Sequence, residues 1–325
     1  MVWNDDASPF HEGERQFQEY FGVRKRLEAV GRRVIYPEMT DQHRVFFGQL
    51  PFLVLGGLNA ESWPIASVLF GAPGFVETPD SNTMIVNSRF LDEDPLSELL
   101  QKGDPVGLLG IEPPTRRSNR ANGVVVDRQP AQITIKIVQA YGNCPQYIEA
   151  RDFDIVRSLS EPQSKGVSHF TELDAETTEL IRRADRFYVA SQNDREDKYE
   201  AGGLDVSHLG GLPGFVKVDG NTLTIPDFPG NYAFKTMGNF AVNPTAGLLF
   251  LDDQTQDLIQ LWGNVELQLD LTEELRTVPG ARRSWKFTLK RGIRHLAASP
   301  LKWGLGVPGP GAEQAGNGPE NTRKG

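Results

Sequence analysis

Cysteine occurs once in the 325 residues, at Cys144. One thiol makes no internal disulfide and no cysteine-based metal cluster within a chain. Histidine is scarce too. His11, His43, His169 and His295 show no metal-ligand spacing, so no metal is expected. Positive charge is in deficit: 34 lysines and arginines face 43 aspartates and glutamates, a net charge of −9. That balance argues against general nucleic-acid binding but leaves room for a local basic pocket. No apolar run approaches the length of a membrane span. The opening "MVWNDDASPF" lacks a basic region followed by an apolar core, so no secretory signal is expected and the chain reads as cytoplasmic. The length suffices for one large core or two ordinary ones.

The chain does contain a repeat. "GAPGFVETPDSNTMIV" begins at Gly71 and "GLPGFVKVDGNTLTIP" begins 140 residues later, at Gly211. Ser67 falls on Ser207, and Pro73, Gly74, Phe75 and Val76 fall on Pro213, Gly214, Phe215 and Val216. After one deleted residue, Asn82 and Thr83 match Asn221 and Thr222. The register then recovers, with Gly107, Leu108 and Leu109 on Gly247, Leu248 and Leu249, and Gly123 on Gly263. Such spacing implies two tandem domains of one fold. Short apolar runs such as "PFLVLGGLN", "PIASVLFG" and "ITIKIVQAYG" are separated by Gly, Pro, Asn and Asp, the texture of an antiparallel sheet or barrel. The expected cores pair Phe52, Val54, Leu69, Phe75, Leu108 and Leu109 with Phe187, Val189, Leu209, Phe215, Leu248 and Leu249. Helical spacing covers 8–33 and ends at Gly31; "TDQHRVFFGQL", "DPLSELLQKGD" and "TELDAETTELIRRAD" read as further helices. The divisions are an N-terminal helical segment over 1–39, a first domain over 40–151, an irregular linker over 152–170 and a second domain over 171–303. A Pro/Gly/Asn-rich tail over 304–325 is expected to be disordered.

The copies differ where a ligand would sit. In the second, the turn "PDFPGN" leads to "FKTMGNF", the start of a short helix before Asn243. Lys235 and Thr236 lie near that helix N-terminus. Free backbone N–H groups, a lysine and a hydroxyl make an anion site; the plainer reading is a lysine on a solvated loop. The first copy places Asp92, Glu93 and Asp94 in this neighbourhood, which would repel an anion. One ligand per chain is therefore expected. "TRRSNRANG", residues 115–123, supplies Arg116, Arg117, Asn119, Arg120 and Asn122, either a ligand wall or a solvated hairpin. Asp205, Ser207 and His208 carry the letters of a hydrolase triad, but their adjacency on one strand argues against it. His208 is a ligand contact or a structural histidine. Cys144, with no partner histidine nearby, reads as a structural thiol.

The strand, the turn and "FKTMGNFAVNPTAGLLF" together resemble the pyridoxamine 5′-phosphate oxidase-like family. "FHEGE", "TRRSNRANG", "GNCPQYI", "DVSHLGGLPGFV" and "PDFPGN" are similar to its two-barrel, flavin-nucleotide-binding subgroup. The resemblance implies a mainly β chain with peripheral helices, its tandem split β-barrels packed as a pseudo-dimer. It implies an FMN cofactor at a barrel interface, formed within one chain or across a homodimer. Lys235 and Thr236 would grip the phosphate, while Phe234 departs from the family's usual serine. Asp227, Asn231, Asn239, Ser207, His208, Gln260 and the 115–123 residues complete the implied cofactor site, with Gln260 on an isoalloxazine edge. The implied function is an FMN-binding flavoprotein, an oxidoreductase of unknown substrate that uses a small molecule or a nicotinamide or flavin redox partner. The alternatives are a non-catalytic flavin protein, or a split barrel that binds haem or a protein partner.

Overall fold

The structure is a computed structural model that describes residues 8–160, 163–193, 203–270 and 275–307. Of the tail expected to be disordered over 304–325, residues 304–307 are held by backbone hydrogen bonds, with Val307 paired to Ala150; from 308 onward it lies outside the described residues.

The chain is mainly β, as expected, and consists of two split barrels packed as a pseudo-dimer. The first sheet contains β1 (Phe52–Leu58), β2 (Pro64–Phe70), β3 (Val76–Glu77), β4 (Thr83–Val86), β5 (Pro105–Glu112), β6 (Arg117–Gln129) and β7 (Gln132–Gly142). Its order is β2-β1-β5-β6-β7-β4-β3. In the 152–170 segment, β8 (Phe153–Ile155) and β9 (Val167–Phe170) form where a linker without strands was expected. The second sheet contains β10 (Arg186–Gln192), β11 (Leu204–Gly210), β12 (Lys217–Asp219), β13 (Thr222–Asp227), β14 (Thr245–Leu251), β15 (Leu258–Gln268) and β16 (Arg283–His295). Its order, β11-β10-β14-β15-β16-β13-β12, is the same permutation. β9 pairs with β16, and β17 (Leu301–Trp303) pairs with β8. The second half thus uses the connecting segment as part of its own sheet.

Each barrel has its own core, and a third core lies between them. Leu53, Leu55, Leu69, Phe75 and Leu108 fill the first barrel, and Phe187, Val189, Phe215 and Leu248 the second. Phe52, Val54, Val68, Leu109, Tyr188, Val206 and Leu249 meet in the shared layer. This corrects the expected pairing of Phe52 and Val54 with Phe187 and Val189. Leu55 faces Ser67 as Val189 faces Ser207, so Leu53 and Leu55 are the true counterparts. A slip of one residue turns a strand over.

The barrels approach closely at two glycines. A Cβ on Gly107 would lie 2.8 Å from the Cα of Asp205, and one on Gly247 would lie 2.3 Å from the carbonyl oxygen of Pro64 and 2.8 Å from the Cα of Ile65. The two pairs, Gly107 with Asp205 and Gly247 with Ile65, are related by the repeat offset.

Six helices lie around the sheets among the described residues: α1 (Glu12–Tyr20), α2 (Arg24–Val34), α3 (Asp41–Gly48), α4 (Pro95–Leu99), α5 (Ala175–Arg183) and α6 (Lys235–Val242). The single helix expected over 8–33 is two. Gly22, at φ +67°, lies in the break between them. Gly31 does not end α2. It lets the helix lie against Phe10, whose ring would be 2.5 Å from an added Cβ.

Candidate functional site

α1 opens with a capping box. The His11 ring accepts from the Gly13 N–H, and Glu14 accepts from the His11 N–H at 3.0 Å. The helix then buries Phe17 against Phe234 and lies directly on α6. A Cβ at Gly13 would come within 2.1 Å of the Gly238 carbonyl oxygen, so only glycine permits this approach. α1, α2, β7, β11 and the β13–α6 turn enclose a cleft of about 280 Å³.

α6 supplies one end of the cleft. Its N-cap residue, Phe234, sits in the left-handed region at φ +62°, and no side chain caps the helix. Side chains of Lys235 and Thr236 line the cleft. The Thr236 and Ser207 hydroxyls are 2.7 Å apart. Lys235 is buried, and its Nζ lies 3.4 Å from Glu14 Oε2. This corrects the solvated-loop alternative: the lysine is the first residue of a helix and part of a packed interior. Burial pushes the Glu14 carboxyl up to about 7 although Lys235 pulls it down.

The first barrel supplies a second wall. Arg120 donates to Asp205 at 2.5 Å, and Tyr141 and Asn122 each donate to the same carboxylate at 3.0 Å. Asp205 is fully buried on β11, so this network crosses from one barrel to the other. Arg120 Nε and Asn122 Oδ1 have no hydrogen-bond partner among the described residues. Arg283, on β16, donates its Nε to Asp227 at 2.9 Å and stacks 4.6 Å from the Phe21 ring and 5.0 Å from the Phe234 ring.

The structure brings Lys235, Thr236, Asn231, Asp227, Ser207, His208 and Arg120 together on the cleft. Asn122 stands behind Arg120, holding Asp205 and Gln139. Asn239 lies on the buried face of α6 and donates to Ser191 at 2.9 Å. Arg116, Arg117 and Asn119 are elsewhere. Arg116 donates to the Val307 carbonyl at 3.4 Å, Arg117 covers the Phe46 ring, and Asn119 is buried outside the cleft lining. Cys144 is exposed, which corrects the expected buried thiol.

Gln260 lies on the opposite side of the pseudo-twofold relation. By strand register it is the counterpart of Arg120, Trp262 of Asn122, and Ile293 of Tyr141. Gln260 donates at 3.0 Å to both Asp94 and the Ala66 carbonyl. Asp94 also accepts from Ser67 and from the Leu96 N–H at 2.9 Å, and burial raises its carboxyl to about 6. Trp262 and Ile293 join the first barrel's core. The equivalent place is filled by the protein's own side chains, so the cleft exists on one side only among the described residues.

His208 lines the cleft, and burial lowers its imidazole to about 3. Its folded value lies below the unfolded one, so its contribution to stability is complete above about pH 6.5. That contribution is lost as pH falls toward 3. His208→Gln stays uncharged. Below pH 6.5, the variant is expected to gain on the wild type by at most about 1.4 kcal/mol per pH unit. Urea midpoints of both proteins at pH 7 and pH 5 check this.

Glu14, Tyr141 and Arg283 were not singled out by the sequence reading, nor were the walls built by α1 and α2. Glu14 stood in "FHEGE", a segment that carries the resemblance but was given no role, and it is the third helical residue after a capping position.

No family model matches the chain, and a search of curated proteins finds no relative. Several solved structures are similar over part of it. A pyridoxamine 5′-phosphate oxidase homologue from Lactobacillus delbrueckii is 15% identical, with a TM-score of 0.29, over 38% of this chain and 94% of its own. A Clostridium acetobutylicum protein related to general stress protein 26 is 16% identical, with a TM-score of 0.28, over 40% and 91%. HupZ of Group A Streptococcus is 12% identical, with a TM-score of 0.29, over 41% and 99%.

Proposed function

We propose that the cleft binds one flavin mononucleotide per chain and that the protein is a flavoprotein of the oxidoreductase type. The observation that carries this reading is the one-sided cleft, which joins an uncapped helix start bearing Lys235 and Thr236 to an apolar and aromatic interior. Its volume of about 280 Å³ is at the lower limit of small-molecule sites, which run from about 300 Å³ upward. The phosphate goes to the α6 N-terminus, where the first backbone N–H groups have no partner within the helix. Lys235 supplies charge and Thr236 a hydroxyl. Leu27, Val30, Ile35 and Phe228 line the space for a flat ring system. The Arg120 side chain, which lines the cleft, supplies a cationic donor toward a flavin carbonyl. His208, neutral at physiological pH, offers one donor and one acceptor.

A bound flavin supplies the redox chemistry, and the chain supplies position and shielding. Arg120 is held by Asp205 and cannot swing away. α2 excludes water from one face of the cleft. A small-molecule substrate or a nicotinamide or flavin partner would deliver or remove electrons.

Lys235→Met keeps the stem and removes the charge. Losing a charge-assisted contact costs about 1.5–3 kcal/mol, so FMN is expected to bind roughly ten- to a hundred-fold more weakly. Riboflavin, which lacks the phosphate, is expected to change little. Titrations of both ligands followed by flavin fluorescence make the comparison. Equal losses for the two would remove the phosphate from Lys235, and no flavin binding by the wild type would end the flavin reading.

A further inference from the structure

Glu14 is an unexpected neighbour for a phosphate subsite. Its carboxylate lies on Lys235, the cation that the proposed function gives to the phosphate. It is also held from other sides. The His11 N–H donates to it, and Asp205, Arg120 and Tyr141 face it from β11, β6 and β7. The helix that carries it cannot draw back. Gly13 touches the Gly238 carbonyl, a Cβ on Gly238 would lie 2.6 Å from the Glu14 nitrogen, and Phe17 is fixed in the second barrel's core. A dianion arriving at Lys235 therefore meets a carboxylate that has nowhere to move.

We propose that Glu14 is a proton-coupled counter-charge in the phosphate subsite: a phosphate binding at Lys235 is accompanied by uptake of one proton from solvent onto Glu14. The inference rests on the flavin reading for the natural ligand, but its chemistry requires only a phosphate monoester. A carboxylate accepts hydrogen bonds and cannot donate them; a protonated carboxyl donates one. The same proton that removes the repulsion gives Glu14 an O–H to offer a phosphate oxygen. Burial supports this, because it holds the Glu14 carboxyl at about 7, where a small perturbation changes its state. His11, the other titratable group in the capping box, is held neutral by burial and takes no part.

The test measures FMN and riboflavin affinity from pH 7 to 8.5, where the phosphate stays mostly dianionic, in wild type and Glu14→Gln. Wild-type FMN binding is expected to weaken by up to about tenfold per pH unit over this range. The Glu14→Gln protein is expected to bind FMN with a flat profile and about tenfold more tightly than wild type at pH 8.5. Riboflavin is expected to give flat profiles in both. The same pH slope in both proteins, or the same slope for both ligands, overturns the proposal. If the variant fails to fold, calorimetry of the wild type in buffers of different ionisation enthalpy decides. FMN must take up protons near pH 8 and riboflavin must not; no uptake overturns the proposal. Phenyl phosphate separates this inference from the flavin reading. A wild-type loss of phenyl phosphate affinity with rising pH that Glu14→Gln abolishes upholds it even where neither flavin binds, and equal slopes in the two proteins refute it.

Discussion

Asp205→Ala is expected to cost about 3–5 kcal/mol, the usual penalty for removing one partner of a buried ion pair. The carboxylate is buried and accepts from Arg120, Asn122 and Tyr141. Truncating it leaves a guanidinium with 12% side-chain exposure facing no carboxylate, takes the acceptor from the Tyr141 phenol, and leaves Asn122 only its long bond to Gln139. Arg120 cannot escape by losing its proton, because a guanidinium stays protonated inside proteins. The loss also falls on the contact between barrels, because the donors belong to one and the acceptor to the other. Asp205→Asn keeps an acceptor oxygen but not the charge, and is expected to lie between wild type and alanine. Urea unfolding of the three proteins makes the measurement. A loss below about 1 kcal/mol for alanine would mean that water reaches Arg120 and that the network is not sealed.

Gly247→Val is expected to destabilise by at least the upper end of the usual overpacking range, about 3 kcal/mol. The obstacle is backbone: the Pro64 carbonyl 2.3 Å and the Ile65 Cα 2.8 Å from the new Cβ. A side chain tip would rotate aside, but the backbone of β2, paired with β1 from Pro64 to Phe70, does not. The two barrels must separate, and the core between them, including Phe52, Tyr188 and Leu249, opens to solvent. Gly74→Ala serves as a comparison. Its φ of +99° strains an added side chain, but nothing lies within 4 Å, so the damage stays local. Thermal melts of both variants check the order. An unperturbed Gly247→Val protein would show that the interface is loose.

The repeat made the doubled topology readable because strand spacing and turn residues survive between the copies. PGFV, Gly107 with Gly247, and Gly123 with Gly263 are all places where the backbone constrains the side chain. The one-residue slip at Phe52 has an equally physical origin. β1 and β10 are buried on both faces, so no alternation of apolar and polar residues marks which face is which. The α6 N-terminus was legible because its turn residues and Lys235 are contiguous. The "TRRSNRANG" cluster was legible only as a composition. Alternation along β6 puts Arg120 and Asn122 on one face and Arg117 and Asn119 on the other; of these, Arg120 lines the cleft and Asn122 supports it through Asp205. Gln260 was matched to the right strand position, but that position serves the filled side of the pseudo-dimer. Glu14 and Arg283 came from segments distant in sequence, and no local pattern records a partner more than 200 residues away.

That last separation has a consequence for how the protein is made. Glu14 and Lys235 are 221 positions apart. At synthesis rates of about 5–20 residues per second, α1 emerges roughly ten to forty seconds before the helix it rests on. Throughout that interval Phe17 has no second barrel to cover it. α1 is made long before the helix it packs on, and the cleft is closed only after α6 has been made.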